Sequence, residues 1–373
     1  MVTRAPLLRF GLPFCALSLL LGLVAGAVIA QRGYDAPVEV YVMREPPGGT
    51  GGTSRLFFVD SVTGEALTVD VRGQRYTVVG GYVLYQDPDT GALLRAWPDG
   101  RTEPHPFIQP APETERIDWV VSPDRAWVAW TLTDRAEGGQ LATVTTLARA
   151  DGTEPRLILT DGPDAFWRVL PLALTNERVF FFDRQPQGVA GFFFYPQYAS
   201  VYRLDVNAGE AQPELLPFEP NCFCGAGLSA DGQFFFRLER VSEAGGYDAR
   251  AWDLAAGVDV FAPTITPSYR LAGAVLVGPD GRQAVYSLAN NLTIDSADSG
   301  RERFMLALID AEQRVQRPLL SSPSLVPLLP LAWTEDGQGV LLYNPRQDGT
   351  WKLILETGEV RQVAGATWVG LIW

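Results

Sequence analysis

A short polar phrase recurs along this chain at intervals of about 50 residues, and an apolar, aromatic-rich run follows each copy. The phrase stands as Ser122-Pro123-Asp124, Ser229-Ala230-Asp231-Gly232, Gly278-Pro279-Asp280-Gly281 and Thr334-Glu335-Asp336-Gly337. A tight turn ahead of a strand, repeated at this spacing in an all-β pattern, is typical of propeller blades. The phrase therefore predicts the architecture and leaves the function open.

Counting the repeats predicts seven blades. A weaker copy at Thr175-Asn176-Glu177-Arg178 keeps the spacing, and two further units precede Asp124. In the third blade the first two strands are predicted over residues 117–121 and 126–131. Residues 38–69 supply three strands of a first blade, whereas residues 367–373 form an apolar strand with no blade of its own. We therefore expect an all-β, seven-bladed β-propeller over residues 38–373, closed by pairing of the N- and C-terminal strands.

The composition restricts the kinds of partner and site. The 373 residues carry a net charge of −13, and a surface of this sign repels phosphate backbones, so no nucleic-acid partner is expected. His105 is the single histidine of the sequence, which excludes a zinc site built on several imidazoles. We expect it at the outer edge of a blade, without a catalytic role. Four arginines among acidic residues are expected on solvated strand faces, namely Arg203, Arg237, Arg240 and Arg250.

The N-terminal segment is predicted to be a membrane helix. Residues 11–30 carry no charge, and a helix of this length spans about 30 Å, the thickness of the bilayer hydrocarbon. Arg4 and Arg9 precede it, so residues 1–10 are expected in the cytoplasm and the chain after residue 31 outside. Two interpretations stay open, a signal anchor and a signal peptide cut after Ala30; the length favours the anchor. We expect a single-pass cell-membrane protein with residues 31–37 as linker.

The turn phrase and the strand after it resemble the TolB-type and WD-like propeller repeats of bacterial envelope proteins. The resemblance is carried by Ser122-Pro123-Asp124, by residues 229–236 and by Gly278-Pro279-Asp280-Gly281. It implies a propeller, used in that family as a periplasmic scaffold or as the propeller half of a serine peptidase. No Gly-x-Ser-x-Gly elbow occurs in the sequence, so a peptidase is not expected. Arg125 stands where Gly is usual, and no site is carried over residue by residue.

Two acidic runs resemble the start of a calcium loop. Asp87, Asp89 and Gly91 have the alternating carboxylates with which such a loop begins, but Leu93 and Leu94 follow where further ligands are needed. A hairpin turn, in which Asp caps the backbone and Gly takes a positive φ, explains the run better. The same interpretation applies to Asp295, Asp298 and Gly300. We predict no metal site and no cofactor.

Cys222 and Cys224 lie at the entrance to the fifth blade. Residues two apart on a strand point to opposite faces, so a disulfide between them requires a local bend. Three interpretations stay open: a short disulfide, two buried structural thiols, and a metal site that lacks two further ligands. The structural thiols are favoured.

An aromatic run in the fourth blade is the candidate recognition patch, consisting of Phe192, Phe193, Phe194, Tyr195 and Tyr198. An exposed cluster of this kind marks contact with a partner, a glycan or a membrane. The alternative is a strand packed between neighbouring blades, which would make the run part of the core.

These observations predict a membrane-tethered, extracytoplasmic propeller that acts as a non-catalytic binding or scaffolding module for an envelope protein or a glycan. The alternative is a propeller enzyme, hydrolase-like or lyase-like, with a carboxylate or metal site in the central channel. Because no catalytic constellation is recognisable, the chain is not expected to be an enzyme.

Overall fold

The computed structural model describes residues 37–44, 52–186, 196–208, 212–217, 225–242, 245–265, 269–290 and 302–373. Within these ranges the chain forms 28 β-strands and one 3-10 helix, Glu137–Gly139. The membrane helix predicted over residues 11–30 lies outside them. Among the described residues, no helix has the length and apolar character needed to cross a membrane.

The strands are given by blade. Blade 1 contains β1 (Val38–Arg44), β2 (Ser54–Asp60), β3 (Ala66–Val71) and β28 (Thr367–Ile372). Blades 2 and 3 contain β4 (Gln74–Val79), β5 (Tyr82–Gln86), β6 (Leu93–Ala96), β7 (Thr102–Pro104), β8 (Thr114–Val121), β9 (Trp127–Arg135), β10 (Leu141–Arg149) and β11 (Arg156–Asp164). Blades 4 and 5 contain β12 (Trp167–Leu174), β13 (Val179–Pro186), β14 (Val201–Asp205), β15 (Glu214–Leu215), β16 (Gly225–Leu228), β17 (Phe234–Ser242), β18 (Gly245–Asp253) and β19 (Val258–Ala262). Blades 6 and 7 contain β20 (Leu271–Val277), β21 (Gln283–Ala289), β22 (Phe304–Asp310), β23 (Val315–Pro318), β24 (Leu329–Trp333), β25 (Gly339–Asn344), β26 (Gln347–Ile354) and β27 (Val360–Ala364).

In the described part of the chain the strands form seven four-stranded antiparallel sheets, one for each blade of the propeller. In blades 2 to 7 the strands follow chain order from the innermost strand outward. Blade 1 has the order β28-β1-β2-β3, and Val38 pairs with Ile372. The C-terminal strand is therefore the innermost strand of the first blade, and the predicted closure is confirmed.

The recurring phrase forms the turn between the first and second strands of a blade. In blade 5, Asp231 Oδ1 accepts hydrogen bonds from Ser229 Oγ at 2.5 Å and from the Gln233 N–H at 3.0 Å. Gly232 follows with φ 69°. The aspartate is thus occupied in holding the turn, which explains its recurrence without a ligand.

Two copies of the turn use arginine at the position of that glycine. Arg125 has φ 59° and Arg178 has φ 64°, in the left-handed region that side chains other than glycine rarely adopt. The guanidinium of Arg178 lies over the Trp127 ring, 4.9 Å from its centroid, and this contact offsets part of the backbone strain. The turn geometry is therefore kept where the sequence departs from the pattern.

The core lies between blades, where apolar side chains of facing sheets interdigitate. Between blades 3 and 4 the buried cluster contains Trp127, Ala129 and Leu147 from one side and Val169, Leu174, Phe180 and Phe182 from the other. Successive residues of a strand point to opposite faces, so one strand can contribute to the layers on both sides of its blade, as β9 does with Trp127 and Val128. This burial is the main favourable term for assembling the ring.

Two sequence-based expectations need correction. β8 begins at Thr114 and β9 ends at Arg135, beyond the predicted 117–121 and 126–131, because polar pairs extend the sheet: Thr114 Oγ1 donates to Asp134 Oδ1 at 2.6 Å. Arg237, expected on a solvated face, is 2% exposed. It follows Phe235 and Phe236 in β17, which is packed on both faces by neighbouring blades.

Candidate functional site

Three consecutive blades carry an arginine at the start of the innermost strand. Arg75 is in β4, Arg116 in β8 and Arg168 in β12. The innermost strands run in the same direction along the channel, so their starts lie at one opening. This end of the channel is therefore rich in guanidinium groups, in a chain whose net charge is −13.

The carboxylate of Asp118 joins two of these arginines. Arg75 Nη2 donates to Asp118 Oδ1 at 2.9 Å, and Arg75 Nη1 donates to the Ile117 carbonyl at 2.6 Å. Arg116 donates through Nη2 to Oδ1 at 2.9 Å and through Nε to Oδ2. Asp118 is 3% exposed, so the pairing neutralises a carboxylate that burial would otherwise penalise.

Arg75 occupies a strained position. Its φ is 58°, and the pairing of β4 with β5 shifts register between Gln74 and Thr77. A bulge of this kind re-aims a side chain, and a left-handed residue other than glycine is a common feature of functional sites. The guanidinium carbon lies 4.2 Å from the centroid of Trp119, whose Nε1 donates to Thr77 Oγ1 at 3.1 Å.

Arg168 is the least exposed of the three. Burial, followed by the nearby charge of Arg116, lowers the pKa of its guanidinium, although Asp118 and Asp183 act in the opposite direction. Its Nε is buried and has no hydrogen-bond partner among the described residues. Repulsion between Arg116 and Arg168 means that the opening holds more positive charge than Asp118 neutralises.

The two longest connections begin and end at this same end of the propeller. The second strand of each blade ends, and the third begins, at the end where the first strand starts. Here β13 ends at Pro186 and β14 begins at Val201, and β21 ends at Ala289 while β22 begins at Phe304. At the opposite end, by contrast, β8 and β9 are joined by the short turn that contains Ser122. Long connections on a rigid scaffold are a usual place for recognition.

Several predicted site residues lie outside the described part of the chain: Phe192, Phe193, Phe194, Tyr195, Cys222, Cys224, Asp295 and Asp298. Tyr198 is described, and it packs against the cluster between blades 4 and 5 that contains Phe181 and Phe235. Burial, together with the charge of Asp183, raises the pKa of its phenol. Its ring therefore contributes to the interior of the propeller.

His105 and Asp87 have structural roles. His105 follows β7, the outer strand of blade 2, and is fully buried. Its Nδ1 accepts the Ile108 N–H at 3.1 Å, and Tyr82 Oη lies 3.2 Å from Nε2. Burial lowers the pKa of His105 to about 3, so it is neutral at physiological pH.

Asp87 Oδ1 accepts the N–H groups of Asp89 and Thr90, as the turn interpretation predicts. The described residues contain no group of three or more acidic, His or Cys side chains suited to a metal.

Sequence reasoning missed the three arginines. They stand in Gln74-Arg75-Tyr76, Glu115-Arg116-Ile117 and Trp167-Arg168-Val169. Alignment of the repeats with one another would have shown arginine at nearly the same blade position three times. The acidic turn is the stronger repeat in the sequence, and it lies at the opposite end of the channel from these arginines.

No family model matches this chain, and no curated protein matches it. Its fold is similar to solved propellers. TolB from Acinetobacter baumannii is 18% identical, with a TM-score of 0.43, and the match covers 82% of this chain and 68% of that one. The structural neighbours thus include TolB proteins, the family that the turn phrase resembles.

Other neighbours of the same architecture are enzymes. Oligogalacturonate lyase from Vibrio parahaemolyticus is 9% identical with a TM-score of 0.52, covering 78% of this chain and 79% of that one. The periplasmic gluconolactonase of Pseudomonas aeruginosa is 14% identical with a TM-score of 0.51, covering 90% and 98%. The prediction that the chain is not an enzyme is therefore wrong as drawn. It rested on the fold and on missing motifs, and this fold serves binding proteins and enzymes alike.

Proposed function

We propose that this propeller recognises a carboxylate-bearing glycan or sugar acid at the arginine-rich opening of its channel. The observation that carries the proposal is the pairing of Arg75 and Arg116 with the buried carboxylate of Asp118, with Arg168 at the equivalent position of the next blade. Arginine offers five N–H donors in a planar fork that matches a carboxylate. A site of this composition suits an anion.

The two more exposed arginines, Arg75 and Arg116, keep N–H donors that a ligand can use. The side chains of Arg75 and Arg116 are each 37% exposed. The described hydrogen bonds of Arg116 use its Nε and Nη2, which leaves Nη1, and those of Arg75 use Nη1 and Nη2, which leaves Nε. Asp118 fixes both guanidinium groups before a ligand arrives, and preorganisation of this kind lowers the cost of binding.

A compact anionic sugar fits the electrostatics better than a long polyanion. The chain as a whole carries −13, so a nucleic acid is repelled by most of the surface before it reaches the opening. A short ligand meets only the local field of the arginines. Among the structural neighbours, the lyase and the lactonase named above supply two compounds to test, an oligogalacturonate and gluconolactone.

The test is calorimetric titration of the full-length chain in detergent with a galacturonate trimer. We expect binding that weakens as salt is raised and that falls at least about tenfold in Arg116→Gln, because charge-assisted hydrogen bonds are lost. Arg55→Gln is the matched control, since Arg55 pairs with Asp70 on β2 and β3, away from the innermost strands. Equal affinity in Arg116→Gln and the wild type would contradict the proposal. Mass spectrometry of the same mixtures, and of mixtures with gluconolactone, reports any turnover.

We further propose that the propeller lies outside the cytoplasm, tethered by residues 11–30. The support is the charge pattern, with Arg4 and Arg9 before the apolar segment. Protease added to intact spheroplasts is expected to degrade the propeller, and protection until lysis would contradict this location. Fractionation distinguishes an anchor from a cleaved signal peptide, because an anchored chain stays with the membrane whereas a chain cut after Ala30 is shorter and is released from it.

A further inference from the structure

Arg168 and Gln185 stand opposite each other in blade 4. They are Cα partners in the pairing of β12 with β13, so their side chains emerge on the same face of the sheet. Asp183 and Phe181 follow on that face at alternate positions of β13. Phe181 packs with Phe235 of blade 5. Arg168 and Gln185 therefore lie between blades 4 and 5.

Both side chains hold buried polar atoms that bond to none of the described residues. Arg168 is 8% exposed and Gln185 is fully buried. The Nε of Arg168 and both amide atoms of Gln185 have no hydrogen bond within the described part of the chain. Buried polar groups in proteins are nearly always bonded, and an unbonded one costs free energy. Two such side chains in direct register offer a ligand hydrogen bonds that no described residue takes up.

The carboxylate on the same face of β13 bonds to backbone groups. Asp183 Oδ1 accepts the N–H groups of Ser200 at 2.6 Å and Ala199 at 3.0 Å, and its Oδ2 lies 3.1 Å from the same Ala199 nitrogen. It makes no hydrogen bond to the Gln185 amide. Its charge also disfavours a second anion beside it, so an incoming carboxylate is better placed near Arg168 and Arg116.

The donors and acceptors specify the chemistry of the missing partner. Arg168 Nε can only donate, and it therefore requires an acceptor such as a carboxylate oxygen. Gln185 offers a donor and an acceptor side by side, which a hydroxyl group satisfies from both directions. We infer that Arg168 and Gln185 form a subsite for a hydroxy acid, with its carboxylate toward Arg168 and a hydroxyl toward Gln185. The inference rests on the proposed function, because Arg168 connects this subsite with the arginine-rich opening.

The test compares two small acids that differ by one hydroxyl, lactate and propionate. Dissociation constants are measured by saturation-transfer NMR on the full-length protein in detergent. The wild type is expected to bind lactate at least about tenfold more tightly than propionate, since a site built around a hydroxyl rejects the analogue that lacks it. Equal binding of the two acids by the wild type overturns the inference without any variant.

Gln185→Met removes the amide and keeps a similar volume. We expect it to abolish the preference for lactate and to raise the melting temperature, because an unpartnered amide is no longer buried. A lower melting temperature with the preference retained would mean that ordered water satisfies Gln185, and the inference would fail. Arg116→Gln weakens both acids equally if the opening binds anions. If Arg116→Gln alone leaves the affinity for both acids unchanged, the proposed function is contradicted. If Gln185→Met alone keeps the preference for lactate, the subsite is contradicted.

Discussion

Arg75 Nη2 lies 2.9 Å from Oδ1 of Asp118, so a left-handed residue of blade 2 neutralises a buried carboxylate of blade 3. Asp118→Asn removes the negative charge that holds two guanidinium groups. We expect a loss of about 2–3 kcal/mol in the free energy of unfolding, because the arginines keep part of their hydration. Anion affinity should rise several-fold in the same variant, since the gain in positive charge at the opening outweighs the loss of preorganisation.

Chemical denaturation and titration with galacturonate trimer measure the two effects of Asp118→Asn. Asp70→Asn is the control, because Asp70 pairs with Arg55 at 2.6 Å with both side chains exposed. An exposed pair of this kind contributes about 0–1 kcal/mol. A similar small loss in Asp118→Asn, together with unchanged anion affinity, would show that Asp118 does not organise the opening.

The glycines of two equivalent turns separate backbone strain from packing. Gly281 and Gly337 have φ of 70° and 66°, but a Cβ at Gly281 would lie 2.1 Å from Phe234 Cδ2, whereas nothing lies within 4 Å at Gly337. We expect Gly337→Ala to cost about 1 kcal/mol through strain alone and Gly281→Ala about 1–3 kcal/mol more. Urea unfolding measures the difference, and equal losses would argue against the contact with Phe234.

Ring closure can be tested by deleting residues 367–373. The deletion removes β28, its pairing with β1 and the buried side chain of Ile372. We expect the melting transition to fall by about 10 °C or to lose its cooperativity. Trp373→Ser is the control, because Trp373 is 73% exposed and its replacement should change stability by less than about 0.5 kcal/mol. An unchanged melting temperature after the deletion would contradict closure through β28.

Asp183 should make stability depend on pH in the mildly acidic range. Burial raises its pKa to about 6, and the Ser200 and Ala199 N–H groups and the charge of Arg168 offset only part of this effect. The folded state therefore holds the proton more tightly than the unfolded chain, where an Asp titrates near about 4. Ionisation costs stability above pH 6, and the cost falls as pH is lowered from about 6 to 4.

The comparison for this prediction is Asp183→Asn, which cannot titrate. Between pH 7 and pH 4 we expect the wild type to gain about 2–3 kcal/mol in unfolding free energy relative to the variant. Denaturant midpoints at a series of pH values provide the measurement. A constant difference, or a change of the opposite sign, would mean that Asp183 is not held in a desolvated environment.

Much of the fold could be predicted because a blade repeats its local chemistry. The serine, aspartate and glycine of the turn at 229–232 act within a few residues of one another, so their pattern survives in the sequence. β28 could be assigned to blade 1 because an apolar strand at 367–373 had no other partner. The extension of β8 to Thr114 was missed, since its stability comes from a polar pair on the neighbouring strand.

The candidate site was harder to predict for a physical reason. Arg75, Arg116 and Arg168 are separated by whole blades in the sequence and meet only when the sheets are arranged around the channel. Arg237 shows the same limit, because a charged residue in a strand gives no sign that both faces of its sheet are covered. Local patterns predict turns and strands, whereas the grouping of charges depends on how the blades are placed.

The pairing of β28 with β1 can form only late in the synthesis of the chain. Arg44 and Asp348, also joined across this region, are 304 residues apart in the sequence, so the ribosome completes nearly the whole chain before these contacts can form. Until then β1 presents an unpaired edge, and such an edge invites pairing with another chain. Contacts this distant in sequence also form slowly. A nascent chain is therefore most vulnerable to aggregation at its first blade, and chaperone protection would matter most there.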